Sequence, residues 1–363
     1  MSFSFGFSGD DIEEDPNDVL TASRDEDVQM EGVETGQGAE RIPARSHTLD
    51  ELLSTLPDKL SYSILKTTSP KGNISHLPRR ELFDIRLQLM AEDDSSSTIA
   101  GLDASDVQTN VYEGGYKTWE CSLDLISYLL DRGPRKDLDD MARVNHVIEM
   151  GCGTALPSLL LFQYAIKNQL SMNFTLTDYN FDVLRLVTVP NLLLTWASTL
   201  GRTDAPFSET YPNPLAEEDR SKHGDDEDHG DLEIAPEIVE AFKQRLAETG
   251  ITMTLVSGSW TPTEHLLDLI PSAPELNTFI LGSETIYSPE ALTAFTESIV
   301  GLMKRVKSGK TIVAAKRVYF GVGGSVDGFR EECAQRGCVA YEMDFEGLES
   351  NGVRRCLVEV QMC

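Results

Sequence analysis

The sequence predicts an α/β protein: a doubly wound, mainly parallel seven-stranded sheet finished by an antiparallel terminal strand. Three observations carry that prediction. Val147 to Thr154, Val-Ile-Glu-Met-Gly-Cys-Gly-Thr, is an apolar run that ends in an acid and breaks into a two-glycine turn, the opening of a nucleotide-type βα unit. Strand-like and helix-like stretches alternate five times, which implies a parallel sheet with helices on its faces. The chain then closes on two strand-like runs joined by a turn, which adds an antiparallel strand to the sheet.

The elements follow in order. Residues 1–45 read as a disordered acidic tail, with Phe3, Phe5 and Phe7 alternating at its tip; residues 1–40 hold twelve acids against Arg24 alone, a net of -11. Residues 46–110 read as a small lead-in or cap, because Pro57, Pro70 and Pro78 keep its apolar runs short. Within it, residues 82–89 fit strand or helix equally, and a polar patch at 92–98 follows. The main domain spans 111–363. Leu123, Ile126, Leu129 and Leu130 recur at helical spacing and predict a helix over about 118–130, approached through Gly114-Gly115.

The first strand, about 146–150, and its glycine turn lead into a helix over about 156–170 with Pro157 in the first turn, where proline is tolerated. A second strand, 174–177, ends in Asp178. The helix over 183–199 should kink or restart at Pro190. An acidic loop insertion occupies about 201–235, and residues 216–233 carry nine acids against Arg220 and Lys222. A helix over 236–248 precedes a third strand, 251–256, that ends in Ser257-Gly258-Ser259-Trp260. A fourth strand, 278–281, runs into Gly282-Ser283-Glu284-Thr285-Ile286-Tyr287 and a helix over 289–307. A fifth, 311–318, runs into Tyr319 to Gly324. After a helix at 326–336, runs 339–345 and 355–361 form the closing pair.

Charge limits the partners. The net charge is -29, of which the tail (-11) and the 216–233 stretch (-7) supply -18. Nucleic-acid affinity comes mainly from Lys and Arg neutralising phosphates, so direct DNA or RNA binding is not expected and a basic protein is. Solubility alone would explain the same tails. The six cysteines show no Cys-x-x-Cys spacing, so they read as free intracellular thiols with no metal site. Nothing resembles a signal peptide or a bilayer span. The expectation is a soluble, cytoplasmic and nuclear monomer.

In doubly wound sheets, ligands bind beyond the carboxyl ends of the strands, beside the switch in strand order. Two ligands fit the glycine turn of Gly151 and Gly153: a dinucleotide or S-adenosylmethionine. The dinucleotide fingerprint needs a small residue where Leu156 stands. Glu149 would repel a diphosphate, whereas the sulfonium and amino groups of S-adenosylmethionine favour a carboxylate nearby. Asp178 can take two ribose hydroxyls from either ligand. Trp260, at a strand end, can lie against an adenine face or serve as a core aromatic.

Six spaced blocks together resemble one family: Val111 to Leu125, Glu149 to Thr154, Asp178-Tyr179-Asn180 with Pro190-Asn191, Ser257 to Trp260, Ser283 to Pro289, and Tyr319 to Gly324. They are similar to the eukaryotic protein-histidine methyltransferases of the seven-strand class, whose fold is Rossmann-like. The likeness covers about residues 110–363 and extends to the Phe-rich start. It implies S-adenosyl-L-methionine as cofactor, a histidine of the third large-subunit ribosomal protein as substrate, and the tele nitrogen as the methylated atom. By position it implies cofactor contacts at Thr118, Trp119, Glu120, Cys121, Ser122, Gly151, Asp178, Tyr179, Asn180, Gly258, Ser259, Trp260 and Ser283. Glu149 and Ala155 depart from relatives, which often have Asp and Gly there.

Neutral imidazole already has a lone pair at neutral pH, its pKa being about 6.5, so the site must fix a tautomer rather than supply a strong base. Glu284, Tyr287 and Tyr319 are the expected acceptor and walls of that pocket. Glu284 could equally be structural or bind cofactor. A lysine methyltransferase on the same scaffold would also use carboxylates and aromatic walls, and a ribosomal-protein chaperone would need the acidic segments without turnover.

Overall fold

The computed structural model describes residues 42–92, 115–132, 144–217, 229–348 and 353–363. The acidic tail up to residue 41, the polar patch from 93, the block residues 111–114, residues 218–228 of the insertion and 349–352 of the closing turn lie outside the described residues. In chain order the strands are β1 (Arg45–His47), β2 (Lys59–Thr68), β3 (Ile74–Arg80), β4 (His146–Met150), β5 (Met172–Asp178), β6 (His229–Glu233), β7 (Ile251–Ser257), β8 (Thr278–Ser283), β9 (Gly309–Lys316), β10 (Cys338–Met343) and β11 (Arg355–Met362).

The main sheet has the order β1-β7-β5-β4-β8-β9-β11-β10. Strands β7, β5, β4, β8 and β9 run parallel. Strand β11 lies antiparallel between β9 and β10, as the closing pair predicted. The seven expected strands are joined by an eighth, because β1 pairs antiparallel with β7. The order reverses at β4, with β5 on one side and β8 on the other, and that reversal opens the crevice.

Side chains alternate between faces along each strand. Val147, Leu281, Ile312, Ala314 and Leu357 meet the layer formed by helices Glu120–Arg132, Leu156–Lys167, Val189–Ala197 and Pro236–Thr249. Ile148, Met150, Ile280, Val313, Ala315 and Val358 meet helices Thr263–Leu269, Pro289–Lys304 and Val326–Gln335. The helix Thr263–Leu269 had no sequence forecast. The ambiguous 82–89 stretch is helical, Leu82–Ala91.

Two sequence expectations need correction. The stretch after residue 45 is no separate cap: Leu52, Leu53, Leu60, Tyr62 and Leu77 belong to the same core as Leu156 and Phe162. Nor is the insertion wholly a loop, since β6 pairs with β2 in a second sheet of order β3-β2-β6. His-Gly-Asp-Leu-Glu offers only Leu232 to bury, so its strand character comes from its partner. Ser61 Oγ donates to Asp231 Oδ1 at 2.6 Å and Lys59 Nζ pairs with Asp231 Oδ2 at 3.0 Å.

The irregularity expected at Pro190 lies one turn earlier, as a π-helical segment, Leu184–Thr188, between Phe181–Val183 and Val189–Ala197. Pro190 has no N–H to give the Leu186 carbonyl. The Arg80 guanidinium takes that place, its Nη1 donating to Leu186 O at 3.0 Å. A proline on one element thus fixes an arginine at the end of another.

Candidate active site

Beyond the carboxyl ends of β4, β5, β7, β8 and β9 lies a cavity of about 350 Å³. Its floor is the glycine turn. Gly151 has φ +66°, and a Cβ there would sit 3.2 Å from Thr285 Cγ2 and 3.5 Å from the Trp260 ring. A side chain would therefore fill the cavity from below. Gly153 N donates to Asp178 Oδ2 at 2.9 Å, and Asn180 N donates to Asp178 Oδ1 at 3.1 Å. These bonds hold the Asp178 carboxylate at the rim between β4 and β5.

The turn is also tied from behind. Thr188 Oγ1, in the π-helical segment, donates to Gly153 O at 2.8 Å. Asn191 Nδ2 donates to Thr154 O at 3.1 Å, while its Oδ1 accepts from Arg80 N at 2.7 Å. The Pro190-Asn191 block thereby acts as a strut between the turn and β3.

Glu149 has a different place from the one its sequence position suggested. It does not line the cavity; its buried Oε2 accepts from Ser158 N at 2.9 Å. The helix Leu156–Lys167 begins at Ala155, which sits at φ 56° and has no side chain to cap it. Glu149 supplies the missing acceptor for an N-terminal N–H. Burial pushes its carboxyl pKa up to about 7, against the Ser158 bonds that lower it and with the Asp178 charge that raises it.

Trp260 lines the cavity and packs on Phe295 with ring centroids 5.7 Å apart; its buried Nε1 has no hydrogen-bond partner among the described residues. Gly258 serves a second purpose. A Cβ there would fall 2.4 Å from Pro43 O, and Ser259 N donates to Ile42 O at 2.8 Å. The glycine lets the chain leading into β1 close over the end of β7.

The opposite wall is built after β8 and β9. Glu284 has φ 57°, a strained conformation for a residue with a Cβ, and such strain concentrates at functional sites. Its side chain is only 8% exposed, and neither carboxylate oxygen has a hydrogen bond of normal geometry among the described residues, although the Tyr319 hydroxyl and the Cys121 thiol both face it. Lys316 Nζ lies 3.6 Å from Glu284 Oε1 and 5.3 Å from the centroid of the Trp119 ring. Tyr319 Oη accepts from Lys316 N at 3.2 Å. Burial first, and the Glu284 carboxylate second, push the Tyr319 hydroxyl and the Cys121 thiol well above their ordinary pKa values.

Of the residues singled out from sequence, Trp119, Ser122, Gly151, Gly153, Asp178, Tyr179, Gly258, Ser259, Trp260, Ser283, Glu284, Tyr287 and Tyr319 line this one cavity. Thr118, Glu120, Cys121, Glu149 and Asn180 do not. Thr118 Oγ1 accepts from Arg79 Nη1 at 3.0 Å, and Glu120 pairs with Arg355 at 3.2 Å. Cys121 is buried behind the wall, facing Glu284. Thr285 and Val322, from the blocks after β8 and β9, line the cavity too, and so does Lys316, which lies outside every block. Lys316 carried one signal: it is the charged residue that ends the apolar run Ile312 to Ala315 at the carboxyl end of β9. Among the described residues no group of His, Cys, Asp and Glu could hold a metal ion, and no helix is long and apolar enough to cross a membrane.

No family model matches the chain. It is 34% identical over 357 residues to histidine protein methyltransferase 1 of Saccharomyces cerevisiae, covering 91% of this chain and 89% of that one. Against the Schizosaccharomyces pombe protein of the same name it is 34% identical over 333 residues, covering 89% and 82%. A magnesium protoporphyrin IX methyltransferase from Synechocystis PCC 6803, solved with bound SAH, superposes with a TM-score of 0.34 and 10% identity, covering 67% of this chain and 82% of that one.

Proposed function

The chain belongs to the histidine protein methyltransferase family, and on that premise we propose that it carries a methyl group from S-adenosylmethionine to the tele nitrogen of a histidine in the third large-subunit ribosomal protein. One observation carries the reading. A buried carboxylate, Glu284, with no hydrogen bond of normal geometry among the described residues, faces the same cavity as the glycine turn and Asp178.

The residues present fit the cofactor. Side chains are absent from the turn where one would fill the cavity floor, and Asp178 presents a carboxylate on the cavity lining, oriented by the N–H groups of Gly153 and Asn180. Trp260 offers an indole face and an N–H with no partner among the described residues. When bound, the cofactor supplies an electrophilic methyl carbon for in-line displacement.

The chain's own residues select and hold the nucleophile. Glu284 accepts the hydrogen bond of the pros N–H of the acceptor imidazole, which leaves the lone pair on the tele nitrogen. After transfer the methylated ring is cationic, and it returns to neutrality by losing that pros proton toward the carboxylate and solvent. Tyr287 and Tyr319 wall the ring and keep water from the nucleophile. The net charge of -29 supports a basic protein as substrate, rather than nucleic acid. We place the reaction in the cytoplasm and nucleus, where ribosomal proteins are made and assembled, and take the acting species to be a monomer.

The test is to locate the methyl group by mass spectrometry after reaction of a ribosomal fraction with labelled cofactor. Label on a lysine of the substrate would overturn the reading. A Glu284→Gln variant should lose about a hundredfold in kcat at unchanged cofactor affinity; normal turnover would remove Glu284 from the chemistry.

A further inference from the structure

A buried carboxylate beside an aromatic face is the usual recipe for holding a cation. The cavity contains that pair, Glu284 and Trp119, and such a pair would welcome the ammonium of a lysine. Both partners are already engaged by the protein's own cation. Lys316 Nζ stands 3.6 Å from Glu284 Oε1 and 5.3 Å from the Trp119 ring centroid. The Lys316 side chain is 22% exposed and ends in the cavity rather than in bulk solvent.

We infer that Lys316 is a positioning residue that selects the acceptor: by occupying the cation site made by Glu284 and Trp119, it leaves a wall of no net charge that admits neutral imidazole and excludes a lysine ammonium. The inference rests on the histidine-methylation reading and extends it to specificity. Lys316 pairs at Oε1, so Oε2 remains the acceptor for the imidazole N–H.

The other groups around Glu284 do not provide that compensation. Tyr319, from the loop after β9, and Cys121, from the helix Glu120–Arg132, are neutral, both held protonated by burial and by the Glu284 charge. Behind them Asp124 is matched by Arg355, whose Nε donates to Asp124 Oδ2 at 2.6 Å and whose Nη1 reaches Glu120 at 3.2 Å. Lys117, Asp178 and Glu290 also line the cavity. Lys316 is therefore the cation placed on Glu284 by the described residues.

Removing it leaves a lone carboxylate facing the acceptor. That carboxylate would stabilise imidazolium and raise the pKa of the bound substrate histidine, so the midpoint of kcat against pH should rise by about one unit in Lys316→Met. A peptide with lysine in place of the target histidine should compete with the histidine peptide about tenfold more strongly. Lys316→Arg should keep the wild-type midpoint and the weak competition. The double variant Glu284→Gln/Lys316→Met restores a neutral wall, so its midpoint should return to that of the wild type, whatever its rate.

Cofactor binding measured by calorimetry shows which variants retain the cofactor site. If Lys316→Met binds cofactor but keeps both the midpoint and the weak lysine competition, the inference is overturned. If Lys316→Met does not bind cofactor, Lys316→Gln decides: a raised midpoint supports the inference and a wild-type one overturns it. Failure of the underlying reading looks different, because the wild-type enzyme would then methylate no histidine peptide.

Discussion

Glu149→Gln separates a structural role for this acid from a cofactor role. Burial raises the carboxyl of Glu149 from an ordinary 4.5 to about 7 in the folded chain. Between those values the unfolded chain has lost the proton and the folded chain keeps it, so the folded state binds more protons and stability falls as pH rises. The interval of 4.5 to about 7, at about 1.4 kcal/mol per pH unit, gives a loss of about 3 kcal/mol, complete above about pH 7. A helix N-terminus returns about 1 kcal/mol to a nearby anion, too little to reverse the sign.

Glutamine keeps a carbonyl to accept from Ser158 N and has no proton to lose. The variant should therefore show a flat profile through this window and gain on the wild type as pH rises. Urea unfolding of both proteins at steps from about pH 5 to about pH 8 reads the gap directly. A gap that stays constant across the window would refute the reasoning. Cofactor affinity should be unchanged in the variant, because Glu149 does not line the cavity; a large loss would return the acid to the role its sequence position suggested.

Asn191→Ala should lower stability by about 3 kcal/mol, since it leaves two buried groups, Arg80 N–H and the Thr154 carbonyl, without their partner. Thermal melts check it, and an unchanged midpoint would show that the strut is dispensable. Phe320 is 85% exposed and adjoins Tyr319 at the wall of the cavity, so Phe320→Ser should raise KM for the protein substrate by about tenfold with kcat and cofactor affinity unaltered. Steady-state kinetics showing an unchanged KM would exclude the ring from substrate docking.

The parallel sheet was legible because its strands are apolar runs, each broken by a recognisable turn, and their carboxyl ends named most of the cavity lining. What escaped had physical reasons. Strand β6 has a single buried apolar side chain, and its pairing with β2 depends on Asp231 meeting Ser61 and Lys59, residues far away in the chain. Glu149 was read for charge alone, whereas its use follows from the left-handed Ala155 that leaves a helix uncapped. Gly258 suited a ligand contact, but the close approach of Pro43 O independently requires glycine there. Lys316 could be located at a strand end, but its contact with Glu284 and Trp119 joins three distant segments and only the fold brings them together.

The pairing of β1 with β7 also sets where this protein can be cut. Without Arg45–His47, β7 would offer an open row of amide and carbonyl groups along Leu255 to Ser257, the kind of border that recruits strands from other molecules. A fragment begun at residue 111, where the first of the six motif blocks starts, would carry that open border. It would also leave β6 without β2 and remove Leu52, Leu60 and Leu77 from the core. The unit that folds is therefore longer than the span of the six motif blocks, and truncations that remove β1 would expose a self-templating border on β7.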